Sequence, residues 1–304
     1  MDVTFHQLQV FLKVCETLSI TKAAEELHLS QPAVSIQIRN LQEQFEIPLL
    51  EVIGRRLFIT DFGKEIAEVS RRILGEAESM KSRAAAYKGH LIGKLNITVV
   101  STGKYVMPHF LTDFLKRHPD IELLLDVTNR ARVLESLEKN EVDFALLSLS
   151  PENLKVEHID LMDNELYLIG AKDSDFEEPQ DTSFLGRVPL IFREQGSGTL
   201  KTMEGFCKKN NLKVNKRLEL TSNEAVKQAV IAGLGYSVMP VIGIRQELRS
   251  GDLKVIPIEG LPIKSTWKLV WLKSKKLSPV AEAYRSFIQQ EKSRIISTHF
   301  ANIL

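Results

Sequence analysis

Between Ser19 and Leu41 two helix-forming runs stand three residues apart, and that spacing constrains the fold more than any other feature of the chain. The first run, "SITKAAEEL", opens on the capping candidates Ser19 and Thr21 and packs through Ala23, Ala24 and Leu27. "HLS" follows as a turn: His28 belongs to the residue types that tolerate positive φ, and Ser30 is a good N-cap. The second run extends from about Gln31 to Gln44, with Pro32 in the first turn, where a missing N–H costs little. Two short helices joined in this way make a helix-turn-helix, and small Ala23 and Ala24 let the axes approach closely. The second helix of such a pair is the one that lies in a DNA major groove. Val34, Ile38 and Leu41 are spaced as its buried face, which turns Gln31, Pro32, Ser35 and Arg39 outward.

The flanks extend this unit. "FHQLQVFLKVCET" (5–17) predicts a preceding amphipathic helix through Phe5, Leu8, Phe11, Leu12 and Cys15. After Pro48, Gly54-Arg55-Arg56 between two short apolar runs predicts a hairpin, a wing able to reach a phosphate strand or the minor groove. From Asp61 to about Tyr87 the chain reads as one helix, a rod of roughly 40 Å. Ile66, Ile73, Met80 and Tyr87 recur along it at every seventh position, with Val69, Ala77 and Ala84 beside them. Such a stripe needs a covering helix, and a self-dimer is the simplest answer.

Composition excludes several classes. Apolar residues at 43% and charged residues at 26% are ordinary for a globular protein. No apolar run approaches the ~20 residues of a membrane span, and the N-terminus, with Asp2 and no basic stretch, does not read as a signal peptide. Cys15 and Cys207 suggest no disulfide scaffold and read as two buried thiols in a reducing cytoplasm. Residues 1–65 hold six Lys/Arg against nine Asp/Glu, so DNA contact must rest on where the few basic residues sit. The seven His show no metal-ligand spacing, and neither a GxSxG elbow nor a GxGxxG fingerprint is present. Neither a catalytic residue nor a metal ligand is expected, and the chain is not read as an enzyme.

After Gly89 and Gly93 the pattern changes. "LNITVV", a helix from about 104 to 117, "IELLLDV", the helix around "RARVLESLEKN" and "VDFALLSLS" predict repeated β-α-β units and hence a parallel sheet with helices on its faces. Further strands fit "ELYLIG", "VPLIF", "KRLELT", "GYSVMP", "LKVIPI" and "TWKLVWL", with helices near 199–210, 223–233, 240–249 and 278–292. The expected organisation is a DNA-binding domain at 1–60, a linker and dimerisation helix at 61–89 and an α/β domain at 90–304. Ligands collect in such sheets at carboxyl strand ends and helix N-termini. Four such places carry suitable groups: Ser101 and Thr102; Asn129; "REQGSGT", with Arg193, Ser197, Gly198 and Thr199; and "LTSNEA", with Thr221, Ser222 and Asn223. Together they form an anion-recognition set without an obvious nucleophile or base. Gly-Ser-Gly-Thr is also an ordinary turn and helix cap, and it lacks the Gly-Lys-Ser/Thr of a P-loop.

"FLKVCETLSITKAAEELHLSQPAVSIQIRNLQEQFEIPLLEVIGRRLFITDFG" resembles the LysR-type transcriptional regulators across their winged helix-turn-helix, and the resemblance covers the whole chain. It implies an α/β protein with an N-terminal all-α winged helix-turn-helix, a long linker helix and a two-lobed α/β effector domain like a periplasmic binding protein. Lobe I would span about 90–162 and 267–304, and lobe II about 163–266. The resemblance further implies a cytoplasmic, nucleoid-associated homodimer or homotetramer on double-stranded operator DNA. In such regulators a bound small-molecule effector resets DNA bending and contact with RNA polymerase. Carried over by position, Ser30, Gln31, Pro32, Ser35, Ile36 and Arg39 face the major groove, Arg55 and Arg56 lie on the wing, and Thr60 anchors the wing to the linker. Many relatives have a polar residue where Ile36 stands and Phe-x-Arg where this chain has Leu50-Glu51-Val52.

The effector half is most similar to regulators of Calvin-cycle RuBisCO operons, in "VSTGKYVMP", "NRARVLESLEKNEVDFAL", "REQGSGT", "SNEAVKQAVIAGLGYSVMP" and "EGLPIKSTWKLVW". That similarity implies a phosphorylated metabolite or NADPH as effector, rather than a resident cofactor. It also places Ser101, Thr102, Asn129, Thr199 and Pro240 in the cleft. The reading from another class is a stand-alone small-molecule binding protein without a DNA role.

Overall fold

The computed structural model describes residues 2–54, 56–86, 90–174 and 179–301, and the chain divides into two compact units, Met1–Gly93 and Lys94–Leu304.

The first unit opens with α1 (Phe5–Thr17), α2 (Ile20–Glu26) and α3 (Gln31–Gln42). A capping box starts α1: the Thr4 hydroxyl accepts from the Gln7 amide, and the Gln7 side chain accepts from the Thr4 amide at 2.8 Å. Of the two capping candidates, Ser19 caps α2, accepting from the Lys22 amide. His28 takes the expected positive φ of 55°, and Ser30 caps α3 by accepting from the Ala33 amide at 3.3 Å. These turns pin three helices around Val10, Phe11, Val14, Ala23, Val34 and Leu41, all fully buried.

The wing is β1 (Leu50–Ile53) and β2 (Arg56–Ile59), antiparallel with Leu50 opposite Ile59. It leads into α4 (Asp61–Ala86) through a tight joint. The Thr60 hydroxyl donates to the Pro48 carbonyl at 2.7 Å and accepts from the Gly63 amide at 2.9 Å. Gly63 lies so close to β1 that a Cβ there would sit 2.0 Å from the Leu49 carbonyl oxygen. The seven-residue stripe on α4 is divided. Ile66 and Leu74 pack on the core beside Ala67, whereas Val69, Ile73 and Met80 are exposed. Tyr87 lies outside the described residues.

The second unit begins with β3 (Gly93–Val100), a 3-10 turn (Ser101–Tyr105), α5 (Met107–Arg117), β4 (Ile121–Thr128), α6 (Arg130–Glu138) and β5 (Phe144–Leu147). It continues with β6 (Val156–Ala171), α7 (Phe184–Arg187), β7 (Pro189–Arg193), α8 (Gly198–Lys209), β8 (Asn215–Leu220) and α9 (Asn223–Ile231). β9 (Ser237–Pro240), α10 (Arg245–Ser250), β10 (Leu253–Ile256), β11 (Ile263–Leu272) and α11 (Pro279–His299) complete it. The helices expected at 104–117 and 240–249 each start later, behind a 3-10 turn, and α11 runs past 292 to His299.

The expected parallel sheet needs correction. β3 and β5 are parallel, as are β7 and β8, but β11 runs antiparallel to both β5 and β6, and β6 antiparallel to β9 and β10. The reason is topological: the chain leaves one half of the sheet along β6 and returns along β11 in the opposite sense. The order is β10-β6-β11-β5-β3-β4, and the ladder between β6 and β11 shifts register at Trp267/Lys268. On the first side of that irregularity α11 lays Tyr284 against Phe114 and Phe144, at 5.0 and 5.7 Å between ring centres. On the other, Leu168, Leu190 and Val238 form the core under α8.

Gly63→Ala drives a methyl into the Leu49 carbonyl and should cost about 3 kcal/mol in urea unfolding. Gly75→Ala, with nothing within 4 Å, should leave stability unchanged or raise it by about 1 kcal/mol. Equal effects at both glycines would refute the account of this joint.

Candidate functional site

Two surfaces carry the residues singled out by sequence. The first is α3. With Val34 and Leu41 buried, Ser30, Gln31, Pro32, Ile36 and Arg39 are exposed and Ser35 is half-buried. The helix therefore presents the whole expected set on one side. Arg39 Nε lies 3.9 Å from Glu43 Oε1, a loose solvent-exposed pair that leaves the guanidinium available. On the wing, Gly54 takes φ 66° at the turn and Arg56 is exposed opposite Ile53; Arg55 lies outside the described residues. The wing is more apolar at its surface than its two arginines suggest, since Val52, Ile53 and Phe58 are all exposed.

The second surface is a cleft in the C-terminal unit, between the two halves that β6 and β11 join. Ser101 and Thr102 enter it from the end of β3, Asn129 and Arg130 from the start of α6, and Ser148 from the end of β5. From the other half come Arg193 at the end of β7, Ser197, Gly198, Thr199 and Thr202 at the start of α8, Asn223 opening α9, and Pro240 ending β9. Asn164 and Leu166 on β6 form its floor. Strand ends and helix N-termini converge here, as open α/β sheets require.

Every expected effector residue except Thr221 and Ser222 lines this cleft. Thr221 is exposed, because Ser222 caps α9 by accepting from the Ala225 amide at 3.0 Å and the next residue, Asn223, turns inward. Of the three polar residues expected at "LTSNEA", Asn223 alone lines the cleft; sequence reasoning missed Arg130, Ser148, Asn164 and Thr202. Arg130 had a signal beside it: Asn129, the N-cap of α6, accepts from the Arg132 amide at 3.1 Å and so orients the first turn.

Arg193 organises the cleft. It is 4% exposed, and a charge so buried needs partners. Glu194 supplies a forked pair, Nε to Oε2 at 2.8 Å and Nη2 to Oε1 at 3.1 Å. Nη1 donates to Asn223 Oδ1, and Nη2 reaches Ser101 Oγ at 3.4 Å in the other half. Four bonds thus occupy a guanidinium that has five N–H groups. Arg130 is less satisfied. Its Nη2 donates to the Ser150 carbonyl at 3.3 Å, and its buried Nε has no hydrogen-bond partner among the described residues. Burial lowers its pKa, so a nearby anion would be welcome. Ser197 makes no side-chain cap on α8, which leaves the first amides of that helix facing the cleft. Further contacts between the halves close the rim: the Ala131 amide donates to the Gly196 carbonyl at 3.1 Å, and Lys201 pairs with Glu152 at 2.6 Å. The enclosed space is about 20 Å³, room for about one water.

This arrangement offers hydrogen-bond donors and positive charge suited to an anion. Cys15 and Cys207 are buried elsewhere; burial pushes the Cys15 thiol up to about 12 and raises Cys207, so neither is a thiolate at neutral pH. Among the described residues no group of three or more His, Cys, Asp or Glu could hold a metal ion, and no helix is long and apolar enough to cross a membrane.

Comparison with known proteins bears on both surfaces. Residues 5–64 match the bacterial regulatory helix-turn-helix proteins of the lysR family, and residues 88–293 match the LysR substrate binding domain. The RuBisCO operon transcriptional regulator of Allochromatium vinosum is 39% identical over 297 residues, 97% of this chain and 98% of that protein. The transcriptional activator CmpR of Synechocystis is 36% identical over 289 residues, 94% of this chain and 95% of that one. The Synechocystis CcmR regulatory domain, solved with 2-PG, is similar over 68% of this chain and 97% of its own, at 29% identity and TM-score 0.62. Full-length CbnR bound to its target DNA shares the fold over 95% of this chain and 99% of its own, at 23% identity and TM-score 0.69. The helix-turn-helix match sets aside the stand-alone binding protein. Both halves of the chain therefore place it in the LysR family, as a DNA-binding transcriptional regulator with a C-terminal effector-binding domain.

Proposed function

We propose that this regulator reads its operator with α3 and the wing and answers to a small phosphorylated metabolite held between the halves of its C-terminal domain. The carrying observation is the convergence of Arg193, Arg130 and the uncapped start of α8 on one buried cleft. Guanidinium and backbone N–H groups in a low-dielectric cleft bind phosphate and carboxylate oxygens. That chemistry agrees with the 2-PG bound by the CcmR regulatory domain. Phosphate and carboxylate oxygens on one small molecule would match these donors, and no resident cofactor is required. In this reading Ser101, Thr102, Asn129, Arg193, Ser197, Gly198, Thr199 and Pro240 contact the effector, and Thr221 does not. Because Arg193 and Ala131 already bridge the cleft, an effector must replace those bonds or part the halves, which is how occupancy would become a change of shape.

On the DNA side, Ser30, Gln31, Pro32, Ser35, Ile36 and Arg39 face the bases, with Arg55 and Arg56 on the phosphates. Residues 1–60 form the DNA-binding domain, 61–89 the dimerisation helix and 90–304 the effector domain, its lobes dividing near 162 and 267. The exposed Val69, Ile73 and Met80 of α4 would be covered by a second copy, giving a homodimer or homotetramer in the cytoplasm, on the nucleoid and in reach of RNA polymerase.

A gel shift with DNA upstream of the gene for this protein, run with and without 2-phosphoglycolate, tests the reading directly. Absence of a complex below micromolar protein at physiological salt would reject it. Thr102→Val removes a buried cleft hydroxyl while keeping its shape, and should weaken 2-phosphoglycolate about tenfold in calorimetry without changing basal DNA binding. Glu194→Gln releases Arg193 from its carboxylate and should strengthen the same ligand several-fold; weaker binding would assign Glu194 a positioning role instead. Arg39→Ala should lower operator affinity about tenfold with the sedimentation of the protein unchanged.

A further inference from the structure

Ile36 has no place in the packing of its own domain. It is 46% exposed on a helix whose opposite face is fully buried, and it is absent from the apolar side chains that pack on the N-terminal core, which include Ile38 two residues later. α3 has no freedom to turn it inward, because Val34 and Leu41 hold one face and the Ser30 cap holds the start. Pro32 is exposed four residues earlier, so the two stand one turn apart on the same face. Ser35 and Arg39 follow at the next positions of that face. The helix thus carries an apolar ridge of two stiff side chains, a ring and a β-branched chain, between groups that hydrogen-bond.

We infer that Ile36 is a specificity-determining residue that reads a thymine methyl in the operator. The inference rests on the reading that this face of α3 enters the major groove. In that groove each base edge offers donors or acceptors, and thymine alone adds a C5 methyl. A side chain without donors or acceptors gains nothing from guanine, adenine or cytosine edges and strips them of water they need. Against a thymine methyl it buries apolar surface on both sides, with Pro32 closing the neighbouring edge. The domain carries more acidic than basic residues in its first 65 positions, so bulk attraction to phosphate is modest and a contact of shape weighs more in choosing the site.

The experiment begins with the full-length protein selecting its preferred site from duplexes with a randomised segment. Each thymine of that site is then replaced, one at a time, by deoxyuridine, which lacks only the methyl. At one thymine per bound α3, the replacement should weaken wild-type binding about threefold to tenfold. Ile36→Ala should bind the thymine site more weakly and show no difference between thymine and uracil at that position. Ile36→Thr, which keeps the β-branch and one methyl, should retain part of the difference. Placing 5-methylcytosine there should bind better than cytosine for wild type but not for Ile36→Ala. A selected site with no uracil-sensitive position overturns the inference, and so does a uracil effect that survives unchanged in Ile36→Ala. If the wild type selects no sequence at all, the underlying placement of α3 in the groove fails instead.

Discussion

The pairing of β6 with β11 is the constraint on which the C-terminal unit depends. These two strands are the longest among the described residues, at 16 and 10 residues, and they pair with each other along the whole of β11. β5 extends the sheet on one side of the register shift at Trp267/Lys268, and β9 and β10 extend it on the other. Two cores therefore share one spine, and the space between them is open only where strand ends and helix starts meet. A cleft at this place follows from the connectivity before any side chain is considered.

Side chains then decide what the cleft prefers. Arg193 is buried with a carboxylate from its own neighbour and with oxygen partners in both halves, so the resting cleft is neutralised and bridged. A ligand there competes with existing bonds, and its gain is the difference between two well-made sets. Such a balance is the physical basis of a switch: a modest differential affinity moves the equilibrium, whereas a rigid preformed cavity would bind without response.

The N-terminal unit shows the opposite economy. Its helices are fixed by short-range devices, namely the Thr4–Gln7 box, the Ser19 and Ser30 caps and the positive φ of His28, all within a few residues of their partners. A rigid, locally specified helix pair presents its outer residues without adjustment, which suits recognition by shape. The Thr60–Gly63 joint extends that rigidity from the wing into α4.

That difference explains what was legible in the sequence by itself. The helix-turn-helix, the wing and the long helix were determined by caps, turns and periodicity, each a matter of neighbours along the chain. So was the polar character of the strand ends that line the cleft, since Ser101, Asn129 and "REQGSGT" each advertise a cap or loop. The split of the α4 stripe was not legible, because Ile66 and Met80 look alike until α1 covers one of them. Nor was the antiparallel spine, as strand direction depends on which distant strand is the neighbour. Arg130 and Asn164 belong to the cleft, and Thr221 does not, because the halves approach one another in space. Local interactions determined the elements and the residue types; burial between segments a hundred residues apart decided strand sense and the membership of the site.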